Sequence, residues 1–109
     1  MATHHANPGE VVDLHPMGAE LKSARTTAIV KSDDFEAIRL VVQAGKEIAP
    51  HRVAGKITLH CLEGRVQLGV AGSTIDLAAG QWLYLDGGVE HSVRGVEDSS
   101  VLLTILFTR

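Results

Sequence analysis

Apolar residues recur at every second position in several short runs of this chain: Ile38, Leu40 and Val42, then Val66, Leu68 and Val70. A period of two is that of a β-strand, whose successive side chains leave on opposite faces. The first run, preceded by Glu36, sets Arg39 and Val41 at its alternate positions, and the second sets Arg65, Gln67 and Gly69 there. The C-terminal run is apolar in both phases, with Val101, Leu103, Ile105 and Phe107 in one and Leu102, Thr104 and Leu106 in the other. Such a strand is expected to be central and covered on both sides. Glycines at Glu63-Gly64, Ala71-Gly72, Ala79-Gly80, Asp86-Gly87-Gly88 and Gly95 cut the runs after about eight to ten residues, an interval suited to tight turns. Helical spacing is present only from Leu14 to Leu21, where Pro16 and Gly18 interrupt it. The pattern predicts an all-β sandwich or barrel with no long helix.

Composition narrows the function classes. A chain of 109 residues makes one domain, here expected over residues 11–109, behind a flexible N-terminal tail over residues 1–10 that carries His4 and His5. Hydrophobic residues at 45% and charged residues at 21% fit a folded domain. A net charge of −3 supplies no electropositive face for nucleic acid or an anionic membrane, so neither is an expected partner. The lone cysteine, Cys61, has no partner for an internal disulfide and sits in an apolar run, where it reads as core packing. No apolar stretch is long enough to span a bilayer and no basic, apolar leader opens the chain, so a cytoplasmic location is expected.

The candidate chemistry lies in His51 and His91, each set in a glycine-punctuated strand segment. The first runs from Gly45 through Pro50-His51 to Glu63-Gly64, and the second from Gly80 through Asp86 and Gly88 to His91. This spacing resembles the cupin family, whose first motif is Gly, five residues, His-x-His, three or four residues, Glu, six residues, Gly. The second is Gly, five residues, Pro-x-Gly, two residues, His. Gly45, His51 and Gly64 fall in register with the first, and Gly80, Gly88 and His91 with the second. The resemblance covers residues 36 to 106. It implies an antiparallel double-stranded β-helix, or jelly-roll barrel, with both imidazoles turned into one hollow, and it implies homodimers.

Departures fall where metal ligands would sit. Val53 takes the second histidine position, Ile57 the glutamate position, Asp86 the proline position and Gly95 the asparagine-like position after the last histidine. A catalytic zinc wants three protein ligands and non-haem iron two histidines and a carboxylate, and Val53 and Ile57 offer neither. With a local irregularity at Gly55, residues 51, 53, 57, 59 and 61 would share one inward face, making Val53 and Ile57 apolar wall. Trp82 and Tyr84, two apart, would line the hollow or cover a surface between subunits. By strand phase His60 belongs on an outer or interface face; Asp86 completes an Asp-Gly turn and Glu90 points opposite to His91. Lys56 and Arg52, flanking His51, read as a solvated rim.

Three functions follow as expectations. The leading one is binding of a small organic ligand in a mostly apolar pocket formed by His51, His91, Val53, Ile57, Trp82 and Tyr84, with the two histidines as polar anchors. The alternative is a metal-dependent cupin enzyme of oxygenase or isomerase type. There His51 and His91 would hold a divalent transition metal (Zn, Ni, Cu, Fe or Mn), and His60, Asp86 or Glu90 would supply a third ligand. The last is a structural or interaction barrel acting through its dimer surface.

Overall fold

A computed structural model describes residues 4–107. Their strands are β1 (Thr27–Lys31), β2 (Phe35–Val42), β3 (Glu47–His51), β4 (Ile57–Glu63), β5 (Arg65–Val70), β6 (Ser73–Ala78), β7 (Trp82–Leu85), β8 (His91–Gly95) and β9 (Ser99–Leu106). The weak helical spacing near Leu21 yields only a 3₁₀ turn, Gly18–Lys22. Every pairing is antiparallel, in a five-stranded sheet of order β1-β2-β9-β4-β7 and a four-stranded sheet of order β3-β8-β5-β6. The chain wraps from one sheet to the other at each of the turns after β2, β3, β4, β6, β7 and β8, which is the jelly-roll arrangement. β9 is flanked by β2 and β4, as its two-phase apolar run requires.

The glycine punctuation has separate physical causes at different turns. At the β5–β6 hairpin, Ala71 (φ 49°) and Gly72 (φ 79°) are consecutively left-handed, the backbone of a two-residue loop whose twist matches that of its strands. At the β4–β5 crossing, Gly64 has φ 81°, and a Cβ there would overlap the Asp98 carbonyl oxygen and the Ser99 hydroxyl. Only glycine meets both demands there.

One phase of each strand forms the core. Ile57, Leu59 and Cys61 of β4 and Val101 of β9 pack against Val66 and Leu68 of β5, each 2% exposed or less. Full burial of such a side chain contributes about 1.5–3 kcal/mol. The outer face of the larger sheet is only half bare, because the segment before β1 crosses it. The Ala6 N–H donates to the Ile29 carbonyl of β1, and the Met17 and Gly18 N–H groups donate to the Glu63 carboxylate. Of the expected tail over residues 1–10, residues 1–3 lie outside the described residues, and Ala6 is tied to β1.

Candidate functional site

His51 and His91 meet because β3 bulges. Ile48 pairs with Val93 and His51 with His91, so three steps along β3 match two along β8. Without the extra residue Pro50 would face His91, and His51 would fall in the phase opposite to Ile48. Pro50 has no N–H to give a regular ladder, and a bulge next to it restores His51 to the inward phase. The two rings then stand with centroids 4.4 Å apart and planes tilted by 57°.

Both rings are held by their own backbones. His51 Nδ1 lies 3.1 Å from the Ala49 carbonyl oxygen and His91 Nδ1 lies 3.0 Å from that of Val89. A carbonyl oxygen only accepts, so each Nδ1 carries the proton, and in the neutral ring each Nε2 keeps its lone pair. Among the described residues neither Nε2 has a hydrogen-bond partner. His91 is 4% exposed, whereas His51 is exposed at the rim.

The rings cap a cavity of about 320 Å³ inside the barrel. The rest of its wall is eight aliphatic side chains, among them Ile38 and Leu40 of β2, Leu59 of β4, Val93 of β8 and Ile105 of β9. No charged side chain lines it. Farther along the barrel Cys61, Val66 and Val101 fill the space between the sheets completely. The barrel is therefore packed at one end and hollow at the other. A broader depression of about 630 Å³ outside the barrel follows the β5–β6 turn and also touches His91, but it is more open to solvent. The cavity inside the barrel is the less open of the two and is the candidate site, because a less hydrated setting strengthens polar recognition.

The other candidate residues separate. Val53 lines the cavity beside His51. Ile57 is buried at 2% exposure in the core rather than on the cavity wall, which corrects its assignment to the pocket. The single inward face drawn through residues 51–61 is also corrected. β3 and β4 belong to different sheets, and residues 52–56 are the crossing between them. Trp82 and Tyr84 do not line the cavity: Leu83 and Leu85 take the inward phase of β7, leaving both aromatics 56% exposed on the outer face, ring centroids 6.0 Å apart. His60 stands on that outer face too, paired between Leu102 and Trp82.

The donor set does not complete a metal centre. Glu90 pairs with Arg52 and Asp86 with Lys56, all four exposed, so neither carboxylate turns to the ring pair. His60 is on the wrong face. Among the described residues no group of three or more His, Cys, Asp or Glu side chains is placed to hold an ion. Two Nε2 atoms in an aliphatic wall fall short of the three protein ligands of a catalytic site. Cys61 is fully buried, its Sγ 3.4 Å from the Glu63 carbonyl oxygen, and burial pushes its thiol pKa up.

One polar cluster escaped the sequence reading. Arg39 lies in the outward phase of β2 yet is only 5% exposed, because residues 15–18 cover it. A register shift between Cys61 and Glu63 turns the Glu63 carboxylate to the same face. It accepts from Arg39 Nη2 at 3.1 Å and from the Ser100 hydroxyl at 2.8 Å. Burial would push the Glu63 carboxyl pKa up, but the Met17 N–H, the Ser100 hydroxyl, the Gly18 N–H and the Arg39 charge outweigh it and hold it below the usual carboxylate range. Arg39 and Glu63 are 24 residues apart, and no local spacing announces the pair.

The comparisons with known proteins agree with this architecture. Among solved structures, a conserved protein of unknown function from Streptococcus pyogenes is 20% identical over 100% of this chain and 99% of its own, with a TM-score of 0.76. An RmlC-like cupin from Desulfovibrio desulfuricans is 25% identical over 97% of this chain and 96% of its own, with a TM-score of 0.70. A cupin superfamily protein from Desulfitobacterium hafniense is 18% identical over 76% of both chains, with a TM-score of 0.73. Among curated proteins the sequence finds no significant match. The family model described as the cupin domain matches residues 38–107, which contain both histidines and seven complete strands, and the chain belongs to that family.

Proposed function

We propose that this cupin barrel binds a small organic molecule in its cavity, with His51 and His91 as the polar anchors. The observation that supports this reading most is the ring pair, 4.4 Å between centroids, closing an otherwise aliphatic hollow of about 320 Å³. That size suits a compact ligand, being near the lower end of the usual range for small-molecule pockets. At about 30 Å³ per water it equals roughly ten water volumes. Removing that much apolar ligand surface from water drives binding, and the imidazoles fix orientation.

Methyl-resolved NMR of the full chain against a fragment library tests the reading. Ligands should shift the methyls of Leu59, Val93 and Ile105 together, and His51→Ala should weaken the best ligand by at least about threefold, the loss of one modest hydrogen bond. A library that never moves these methyls together would refute it. The metal-dependent alternative rests on the two adjacent imidazoles, centroids 4.4 Å apart, and needs a third protein donor. It is tested by elemental analysis of protein purified without chelating resin: less than about a tenth of an equivalent of transition metal, with uptake indifferent to His51→Ala, ends it.

A second copy of the chain is the proposed macromolecular partner. Trp82 and Tyr84, both 56% exposed, and Leu106, 43% exposed, share the part of the outer sheet face that residues 15–18 leave bare. Aromatic side chains in such a setting are typical anchors of an interface core. Light scattering at micromolar concentration should give a dimer that Trp82→Glu dissociates, and a monomeric wild type would refute it.

A further inference from the structure

We infer that the group recognised by His51 and His91 is an uncharged hydrogen-bond donor, and that the ligand is a compact alcohol or phenol with an aliphatic or aromatic body. The inference rests on the binding reading above and narrows it to a chemical class.

The protonation pattern carries the argument. Each Nδ1 is committed as a donor to a carbonyl two residues back, Ala49 for His51 and Val89 for His91. In the neutral ring the remaining nitrogen is an acceptor only, and with Nδ1 turned to the backbone, Nε2 lies on the opposite edge of each ring. The site thus offers two lone pairs and no donor: the other wall residues are aliphatic and contribute no N–H or O–H from their side chains. A ligand carbonyl, ether or nitrile would meet a lone pair with a lone pair, and its own hydration would be lost without replacement. A hydroxyl satisfies the geometry, since it donates to one Nε2 and can rotate to reach the other.

While both rings are neutral, the same wall disfavours charge. A carboxylate or phosphate entering this cavity would find no lysine or arginine, because Lys56 and Arg52 are engaged outside with Asp86 and Glu90. An ammonium would find no carboxylate. Burial of either ion unpaired costs more than one hydrogen bond to an imidazole returns. The body of the ligand meets only Ile, Leu and Val side chains and is accordingly apolar. Ten water volumes allow roughly ten to fifteen non-hydrogen atoms at protein packing density.

The test uses a matched series on one ring body: cyclohexanol, methoxycyclohexane, cyclohexanone, cyclohexanecarboxylate, cyclohexylammonium and methylcyclohexane, titrated into the full chain with cavity methyls followed by NMR. Cyclohexanol should bind threefold to tenfold tighter than methoxycyclohexane and cyclohexanone, the range expected of one net hydrogen bond, and both ions should bind weakest. His91→Phe keeps a ring and removes the acceptor, so it should abolish the preference for the alcohol while methylcyclohexane still binds. Should the buried replacement fail to fold, His51→Phe at the rim must reduce the same preference. Equal binding of alcohol, ether and ketone, or a preference for either ion, overturns the donor inference and leaves the apolar-pocket reading standing. No cavity shift with any member, methylcyclohexane included, overturns both.

Discussion

Glu63→Gln is the most exacting test of how this fold is held, because it preserves shape and changes only hydrogen-bond character and charge. Glu63 Oε1 accepts from the Met17 N–H at 3.0 Å and the Gly18 N–H at 3.1 Å; Oε2 accepts from Met17 at 3.0 Å, Arg39 at 3.1 Å and Ser100 at 2.8 Å. A glutamine must place an NH2 at one of these oxygens, so either the Arg39 and Ser100 side or the two backbone N–H groups will face a donor. In both cases Arg39 loses its counter-charge while its side chain is 6% exposed, and its Nε is already buried without a partner. Breaking a buried ion pair costs about 3–5 kcal/mol. Glu63 is 12% exposed and retains some contact with water, so we take the lower end, about 3 kcal/mol. For a domain of this size that lowers Tm by roughly 12 °C. Urea unfolding at pH 7 followed by far-ultraviolet circular dichroism measures it. Arg39→Met combined with Glu63→Leu removes both charges and should recover at least about 1 kcal/mol relative to Glu63→Gln. A cost below about 1 kcal/mol for Glu63→Gln, or a double variant no better than Glu63→Gln, would falsify the account.

The remaining predictions concern acid, turn geometry and the thiol. Glu63 has a folded pKa below its ordinary value of 4.5, so its stabilisation is present above that value and is lost as pH falls through the lower folded value; a stability profile from pH 7 to 3 should fall less steeply in Glu63→Gln than in wild type. Gly64→Ala should cost about 2–4 kcal/mol in urea unfolding, combining a left-handed backbone with overlap onto the Asp98 carbonyl and Ser99; a cost under about 1 kcal/mol would show that the β4–β5 crossing relaxes freely. Cys61, fully buried with its thiol pKa pushed up, should react with iodoacetamide at pH 8 only as fast as the protein opens, and labelling as fast as in urea would contradict its burial.

The fold was largely legible because its signals are local. Alternation at Ile38-Leu40-Val42 and Val66-Leu68-Val70 marked β2 and β5, and Ala71-Gly72 marked the hairpin between β5 and β6. The approach of His51 to His91 followed from the resemblance, whereas the cause of it, a bulge beside Pro50, did not. The errors share one origin. A strand phase drawn from His51 through Ile57 runs across a crossing between sheets, and the outward phase of Trp82 and Tyr84 depends on which neighbours Leu83 and Leu85 pack against. Face assignment is a tertiary property, and a one-residue irregularity inverts it. Arg39 and Glu63 were invisible for the same reason: burial of an outward arginine depends on the distant segment that crosses it.

The orientation of the two imidazoles comes from the frame rather than from any ligand. Each ring is held by a carbonyl only two residues away, at the ends of β3 and β8, so Nε2 is the edge left free of the backbone whatever fills the cavity. Metal-binding histidines use the same device, in which an outer hydrogen bond fixes the tautomer. The ring pair therefore has this kind of outer support, while Val53 and Ile57 stand apolar at the two positions where the family resemblance implies further ligands. These positions are not equivalent. Val53 borders the cavity with His51, whereas Ile57 is buried in the core and does not line it. Val53→His should add a third imidazole next to the pair and raise Zn²⁺ affinity at least tenfold in competition with a chelating dye, at little cost in stability. Ile57→Glu should instead bury an unpaired carboxylate and destabilise the fold by more than about 3 kcal/mol, with no gain in affinity. If Val53→His gains nothing, the crossing after β3 does not hold position 53 against the rings. If Ile57→Glu binds metal without unfolding, the hollow extends along β4 past Leu59 to position 57, and Ile57 belongs to its wall.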